Sequence, residues 1–421
     1  MAELRNGYNL NPEALWVGEV PDGWEFFKGK YVFGERFEKG NEKSLELLSP
    51  TQKYGVIPQS MYDELSGMRA VKVKESTDLS LFKTVHIGDF CISLRSFQGG
   101  FEYSKYEGVV SPAYHILFPK KNIVDGYYKY LFKEQSFIAE MNSYCQSLRD
   151  GKNISYEDFG KTLIPYPPLD EQQAIAEYLD DRCSKIDEII AEATASIEEY
   201  KMLKIAVVND AVSHGLRQCL TGDSGVDWIG KMPKHWRLIP TKRLFRIRKD
   251  IAGEEGYTVL SITQRGIIPK QFGGKGQFAA DYSNYQFVSK GDFAMNHMDL
   301  LTGWVDISNY DGVTSPDYRV FVQTGYEEIY APFFKYVMQN CYSCKIYYGL
   351  GHGVAGMGRW RLPADMFLNF KLPVPTLDEQ KEIADYLDER TVQIDALISE
   401  KQALIDDLQA YKKSLIYEVV T

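Results

Sequence analysis

The chain has 421 residues, room for two or three domains, and its 44% hydrophobic and 25% charged residues exclude wholesale disorder. No apolar run reaches the ~18–20 residues of a membrane span, Met1-Ala2-Glu3-Leu4-Arg5 opens no signal peptide, and six unevenly spaced cysteines make no disulfide framework, so a reduced, cytoplasmic protein is expected. A net charge of −10 argues against a nucleic-acid partner only until that charge is located.

Along the chain, every element occurs twice. Trp16-Val-Gly-Glu-Val-Pro21-Asp-Gly-Trp24 returns as Trp228-Ile-Gly-Lys-Met-Pro233-Lys-His-Trp236. Leu48-Ser-Pro-Thr51-Gln52 matches Leu260-Ser-Ile-Thr263-Gln264, and Gly88-Asp89-Phe90 matches Gly291-Asp292-Phe293. Gly108-Val-Val-Ser111-Pro112-Ala-Tyr114 matches Gly312-Val-Thr-Ser315-Pro316-Asp-Tyr318. Leu169-Asp-Glu-Gln172 and Ile175-Ala-Glu-Tyr-Leu-Asp180 return as Leu377-Asp-Glu-Gln380 and Ile383-Ala-Asp-Tyr-Leu-Asp388. A period of about 210 residues means duplicated domains rather than a short-repeat solenoid.

Each copy has a globular part, 14–165 and 226–373, rich in Tyr, Phe and Gly. Short apolar runs before turn signals, such as Thr84-Val-His-Ile87 and Val109-Val110, predict strands of a mixed α/β domain. Shorter helices are expected at Gly126–Met141 and Pro332–Gln339.

Each copy then closes with a long helix. After Pro165-Tyr-Pro167-Pro168, Asp170 and Gln173 spell a capping box. Ile175, Leu179, Ile186, Ile189, Ala193, Ile197, Tyr200 and Val207 step at helical spacing, as do Ile383, Leu387, Ile394, Leu397, Leu404, Leu408, Tyr411 and Leu415. Two such narrow seams predict a coiled-coil pair, each burying its seam against the other. The alternative is a plain amphipathic helix lying on a globular domain.

The acidity sits on these helices. Residues 170–212 carry a net −7 and residues 378–421 a net −6, leaving +3 for the remainder. Lys231, Lys234, Arg237, Lys242, Arg243, Arg246, Arg248 and Lys249 form a run of eight bases with no acid. A local basic face is compatible with DNA binding, because affinity depends on the phosphates met locally.

No self-contained active site is legible. Gly351-His-Gly353-Val-Ala-Gly356 spells a dinucleotide fingerprint, but Gly358 and Pro363 prevent the helix it needs. Gly160-Lys161-Thr162 lacks the first glycine of a phosphate loop and is followed by Pro165. Cys341 and Cys344 are one C-x-x-C without a second pair, so no metal site is expected.

The duplicated Pro-x-Pro-Pro/Thr-Leu-Asp-Glu-Gln…Ile-Ala-x-Tyr-Leu-Asp helices resemble those of the DNA-specificity subunit of type I restriction–modification systems. Ser93-Leu-Arg-Ser-Phe-Gln-Gly99, the Ser-Pro-x-Tyr steps and Met298-Asp-Leu-Leu-Thr-Gly-Trp304 support the resemblance. It implies a mixed α+β fold with two target recognition domains, 1–165 and 214–373, and two helices, 166–213 and 374–421. These helices would form a long antiparallel coiled-coil pair with pseudo-twofold symmetry. The implied function is non-catalytic: each recognition domain reads one half of a bipartite, asymmetric site in double-stranded DNA. The helices would dock two methyltransferase subunits, and restriction/translocase subunits would complete an ATP-dependent nuclease. S-adenosylmethionine, ATP and Mg²⁺ would belong to those partners, with no cofactor and no membrane for this chain. Two rivals stay open at this point: a coiled-coil interaction scaffold without DNA function, and an enzyme with an unrecognised site.

Base edges are read by Arg, Lys, Gln and Asn on loops held by strands. The candidates are Lys53, Arg95, Gln98, Arg149 and Lys152 in the first domain. In the second they are Arg246, Arg248, Gln264, Arg265, Asn296, His297, His352, Arg359 and Arg361. Thr51-Gln52 and Thr263-Gln264 occur in both copies, where shared scaffolding is as good a reading as shared readout. Glycines around His352 would let the backbone approach a phosphate.

Overall fold

The computed structural model describes residues 8–40, 45–67, 79–92, 100–144, 154–270, 282–353 and 360–421. The chain divides into two compact units, Met1–Glu192 with Leu404–Thr421, and Ala193–Ala403. Among the described residues all named strand pairs are antiparallel, and the architecture is mixed helix and strand.

In the first unit the central sheet orders its strands Phe33–Glu35, His115–Pro119, Phe90–Ile92, Phe101–Tyr103. A hairpin, Leu48–Thr51 with Gly55–Pro58, stands beside it. One face is sealed by an aromatic cluster of Phe33, Phe90, Phe101, Phe132, Phe137 and Phe159, all fully buried. Its rings meet edge-on or tilted at centroid distances such as 5.1 Å for Phe90–Phe132 and 5.0 Å for Phe101–Phe132, the geometry that aromatic quadrupoles favour.

The single helix expected at Gly126–Met141 is instead two, Asp125–Leu131 and Gln135–Ser143. The break has a physical cause. The Phe132 carbonyl accepts the Phe101 amide at 3.2 Å, tying the turn to the edge strand. Glu134 then caps the second helix, its carboxylate accepting the Phe137 amide at 3.3 Å.

The second unit repeats this plan. Its sheet runs Phe245–Arg248, Arg319–Gln323, Phe293–Met295, Val305–Ile307, with the hairpin Leu260–Thr263 and Gly266–Pro269. Here the counterpart helix is unbroken, Ala331–Ser343, and longer than the expected Pro332–Gln339.

The long helices are Leu169–His214 and Leu377–Val420. In the second unit, Lys204 bonds Asp395 at 2.7 Å and Arg217 bonds Glu382 at 2.6 Å. Thirteen residues forward on one segment thus match thirteen back on the other, an antiparallel pairing. In the first unit Lys412 bonds Asp187 at 2.6 Å, and the Val420 carbonyl accepts the Tyr127 hydroxyl at 3.0 Å.

The seam keeps most of the expected positions, with Ile175, Leu179, Ile186, Ala193 and Ile197 and, on the second helix, Ile383, Leu387, Ile394 and Leu415 buried, but it leaves out four of them. Ile189 is 44% exposed and Tyr411 57%, and Leu397 and Leu404 are also exposed. Through the middle of the helices the buried and half-buried positions run Cys183, Ile186, Ile190, Ala193 and Ile197, and Leu387, Thr391, Ile394, Ile398, Lys401, Ile405 and Leu408. Their alternating steps of three and four are a heptad.

The duplicated Leu-Asp-Glu-Gln motif ties each helix to its own globular part. Gln172 is fully buried; its Oε1 accepts the Val124 amide at 2.9 Å and its Nε2 donates to the Pro167 carbonyl at 2.8 Å. Gln380 likewise accepts the Tyr330 amide at 2.8 Å and donates to the Glu328 and Pro375 carbonyls at 3.0 Å. Tyr130 and Tyr336 donate to Asp180 and Asp388, the acids that end the motif. The expected Asp170/Gln173 capping box does not form: Asp170 lies inside the first turn, and Gln173 donates to Glu177. The second copy has the box two residues earlier, Thr376 with Glu379, where the first copy has Pro168. Gln380→Leu leaves one amide and two carbonyls unpaired, so it is expected to cost about 2–3 kcal/mol, measurable as a lowered thermal midpoint.

Candidate nucleic-acid interface

Both hairpins close their turns with the same threonine, over three residues in the first and two in the second. Thr51 Oγ1 donates to the Gly55 carbonyl and accepts the Tyr54 amide, both at 3.0 Å. Thr263 Oγ1 donates to the Gly266 carbonyl at 2.9 Å and accepts the Arg265 amide at 3.1 Å. The repeated threonine is therefore turn scaffolding. It leaves Lys53 exposed on one turn and Gln264 and Arg265 exposed on the other. Gln264 Nε2 also reaches the Thr302 carbonyl at 3.4 Å.

The repeated Gly-Asp-Phe has a structural explanation too. Asp89, 1% exposed, receives Arg36 through two hydrogen bonds of 2.8 and 3.0 Å and the His86 amide at 2.9 Å. Asp292 receives Arg248 at 2.7 Å and the Ser289 amide at 2.8 Å. Arg248 also bonds Asp250 at 2.6 Å and the Ser289 hydroxyl at 3.2 Å, so its guanidinium is engaged within the fold. Arg237, in the same basic run, pairs with Glu328. Lys242 donates to Asn369 at 2.8 Å. Arg246 and Lys249 remain exposed, so the run is not one continuous basic face.

Asn296 shapes a turn: its Oδ1 accepts the Met298 amide at 3.2 Å. His297, His352 and Arg361, far apart in sequence, meet around one cavity of about 390 Å³ in the second unit. The segments carrying the last two pair as an antiparallel bridge, with reciprocal backbone bonds of 2.9 and 3.0 Å between His352 and Arg361. Gly351 supports this turn by leaving room for Trp360: a Cβ there would lie 2.3 Å from its Nε1.

Lys249 and Arg319 line the same cavity and were not among the expected residues. Arg319 is 5% exposed, donates to the Leu362 carbonyl at 2.9 Å and lies 5.0 Å from the Phe367 ring. Burial lowers its pKa to about 10. His297 is held neutral, its pKa lowered to about 4 by burial and then by Arg319, Arg361 and Lys249, and its Nδ1 has no partner among the described residues. The available signal for Arg319 was its place directly after the Ser-Pro-x-Tyr step, where the first copy has His115.

Arg95, Gln98, Arg149, Lys152 and Arg359 lie outside the described residues. Among the described residues no cluster of three His, Cys, Asp or Glu side chains could hold a metal ion, Cys341 is buried and Cys344 exposed. No helix among them is long and apolar enough to cross a membrane.

The family described as type I restriction modification DNA specificity domain matches the chain over residues 21–199 and 246–406, once in each copy. The chain is 24% identical to the type I restriction enzyme MjaVIII specificity subunit of Methanocaldococcus jannaschii, over 96% of its own length and 93% of that protein's. A structure described under complex assembly and conformational transition of the type I R-M system is similar with TM-score 0.69 and 13% identity, covering 95% of this chain and 98% of the other. The HsdS subunit from Thermoanaerobacter tengcongensis is similar with TM-score 0.50 and 14% identity, over 95% and 97%. At these identities the structural likeness is one of fold.

Proposed function

The chain belongs to the type I restriction–modification DNA specificity family, and from that premise we propose that its two globular parts each read one half of a bipartite target in double-stranded DNA. The observation that carries this reading is the double family match, laid over two copies of one architecture. The hairpin turns with Lys53, Gln264 and Arg265, and the cationic cavity with His297, His352 and Arg361, supply donors suited to base edges and phosphates. In this reading the subunit is non-catalytic and leaves S-adenosylmethionine, ATP and Mg²⁺ to its partners.

The partners are two methyltransferase subunits, with restriction/translocase subunits joining them. Support comes from apolar residues that the helix seam leaves uncovered. Ile189 and Leu203 on the first long helix, and Leu397, Leu404 and Tyr411 on the second, are exposed at intervals of seven or fourteen residues. Such a stripe matches a further helix packed alongside.

The globular parts are only mildly basic, so the isolated chain is expected to bind duplex DNA weakly and with a shallow salt slope. Adding methyltransferase subunits should steepen that slope through new phosphate contacts. Gel retardation across a salt series measures both. Tight, sequence-specific binding by the chain alone, or no specific binding by the assembled complex, contradicts the reading.

A further inference from the structure

The cavity of the second unit contains a buried positive charge without a carboxylate. Arg319 makes no salt bridge among the described residues; its polar partners are a carbonyl and, at 3.8 Å, the Met295 sulfur. Its companions around the cavity are Lys249, Arg361, His297 and His352, and among the described residues no acidic side chain lines it. Burying an uncompensated guanidinium is costly, and bringing an anion to it recovers that cost.

The first unit solves the same problem internally. His115 occupies the position of Arg319, following Ser111-Pro112-Ala-Tyr114 as Arg319 follows Ser315-Pro316-Asp-Tyr318. Its Nδ1 lies 2.6 Å from Oε1 of the half-buried Glu35. Glu35 precedes Arg36, the partner of Asp89, as Ile247 precedes Arg248, the partner of Asp292. The strand registers agree, Glu35 facing Leu117 and Ile247 facing Phe321. An isoleucine thus stands where the first copy keeps its carboxylate.

We propose that the cavity of the second recognition domain seats one phosphate of the DNA backbone against Arg319, Arg361 and Lys249, an anchor that the first domain's Glu35–His115 pair closes on its own side. This rests on the DNA-reading function proposed above and specifies one of its contacts. Phosphate fits the site better than a base: the free groups at the rim are cations, and Arg361 and Lys249 are exposed enough to reach a backbone outside.

The test has two arms. In the first, the full chain with isotope-labelled histidine is titrated with inorganic phosphate while the His297 ring is followed by NMR. Wild type should show a saturable shift, and its His297 titration midpoint should rise from about 4, since a bound anion favours the imidazolium. Ile247→Glu, which imports the first copy's carboxylate, should abolish that response, and the exposed Arg361→Gln should weaken it about tenfold. An unresponsive His297, or an unchanged response in Ile247→Glu, overturns the proposal.

In the second arm, the complex with methyltransferase subunits binds its target duplex carrying single neutral methylphosphonate links. One link in the half-site read by the second domain should cost wild type about tenfold and cost Arg361→Gln nothing, with the salt slope of that variant lower by about one. If inorganic phosphate binds but no such link exists, the cavity takes a free phosphate and the backbone anchor is wrong. If the complex binds its target and both variants bind equally well, the anchor is wrong while the DNA reading stands. If the wild-type complex recognises no duplex, the DNA reading itself falls.

Discussion

Ile394→Asp is expected to destabilise the chain by about 3–5 kcal/mol, because it places an unpaired carboxylate in the seam of the long helix. Ile394 is 4% exposed and belongs to the heptad Leu387, Thr391, Ile394, Ile398. Leu397→Asp, three residues further on, is the informative contrast. Leu397 is 40% exposed, so the same change should leave stability within about 0.5 kcal/mol. It should nonetheless weaken association with methyltransferase subunits, since it charges the uncovered stripe. Urea unfolding and co-purification measure the two effects. Equal destabilisation by both substitutions would mean that the seam has been placed on the wrong face.

The second large effect concerns spacing in the DNA target. If the paired helices hold the recognition domains apart, lengthening both should lengthen the unread gap without changing the bases read. The heptad sets the size of the insertion. Four residues would rotate the seam out of phase, whereas seven restore it. Duplicating residues 188–194 after Thr194, and residues 398–404 after Leu404, keeps the register set by the Asp187–Lys412 and Lys204–Asp395 pairs. Seven residues add about 10 Å at 1.5 Å per residue, which corresponds to up to about three base pairs. Sequencing of methylated adenines in cells with the lengthened protein and its partners reads the gap directly. An active complex that keeps the original gap shows that the helices are not the ruler.

The duplication was legible because it is a property of the string itself, and it located both long helices and both globular parts. The phase of the seam was legible only in part. Ile189-Ile190, Leu397-Ile398 and Leu404-Ile405 are adjacent apolar pairs, and spacing alone does not say which member faces inward. The buried heptad also passes through Cys183 and Thr391, which hydrophobicity does not single out. Ile189, Leu397, Leu404 and Tyr411, expected in the seam, belong to the uncovered stripe, so at those positions two apolar faces were read as one.

The repeated motifs carried the family resemblance, while their physical reasons appear only in three dimensions. Gln172 and Gln380 are repeated because each satisfies backbone groups of the globular part, and Asp89 and Asp292 because each holds a half-buried arginine. Of the expected DNA-reading residues, His297, His352 and Arg361 were chosen for chemistry alone. Their convergence depends on the bridge between His352 and Arg361, and on the long-range bond in which the His297 carbonyl accepts the Leu362 amide at 2.9 Å. Arg319 was not among the expected residues; it opens the strand Arg319–Gln323, is buried, and lines the cavity, a position only the folded chain reveals.

The most direct test of the account exchanges one globular part and leaves the other untouched. Residues 226–373 are replaced by the corresponding segment of a relative with a different target, and methylated adenines are mapped genome-wide in cells that also carry the methyltransferase subunits. The account predicts a hybrid target in which one half-site changes to the donor's sequence and the other half-site stays as in wild type. A target in which both halves change together, or neither does, would contradict it.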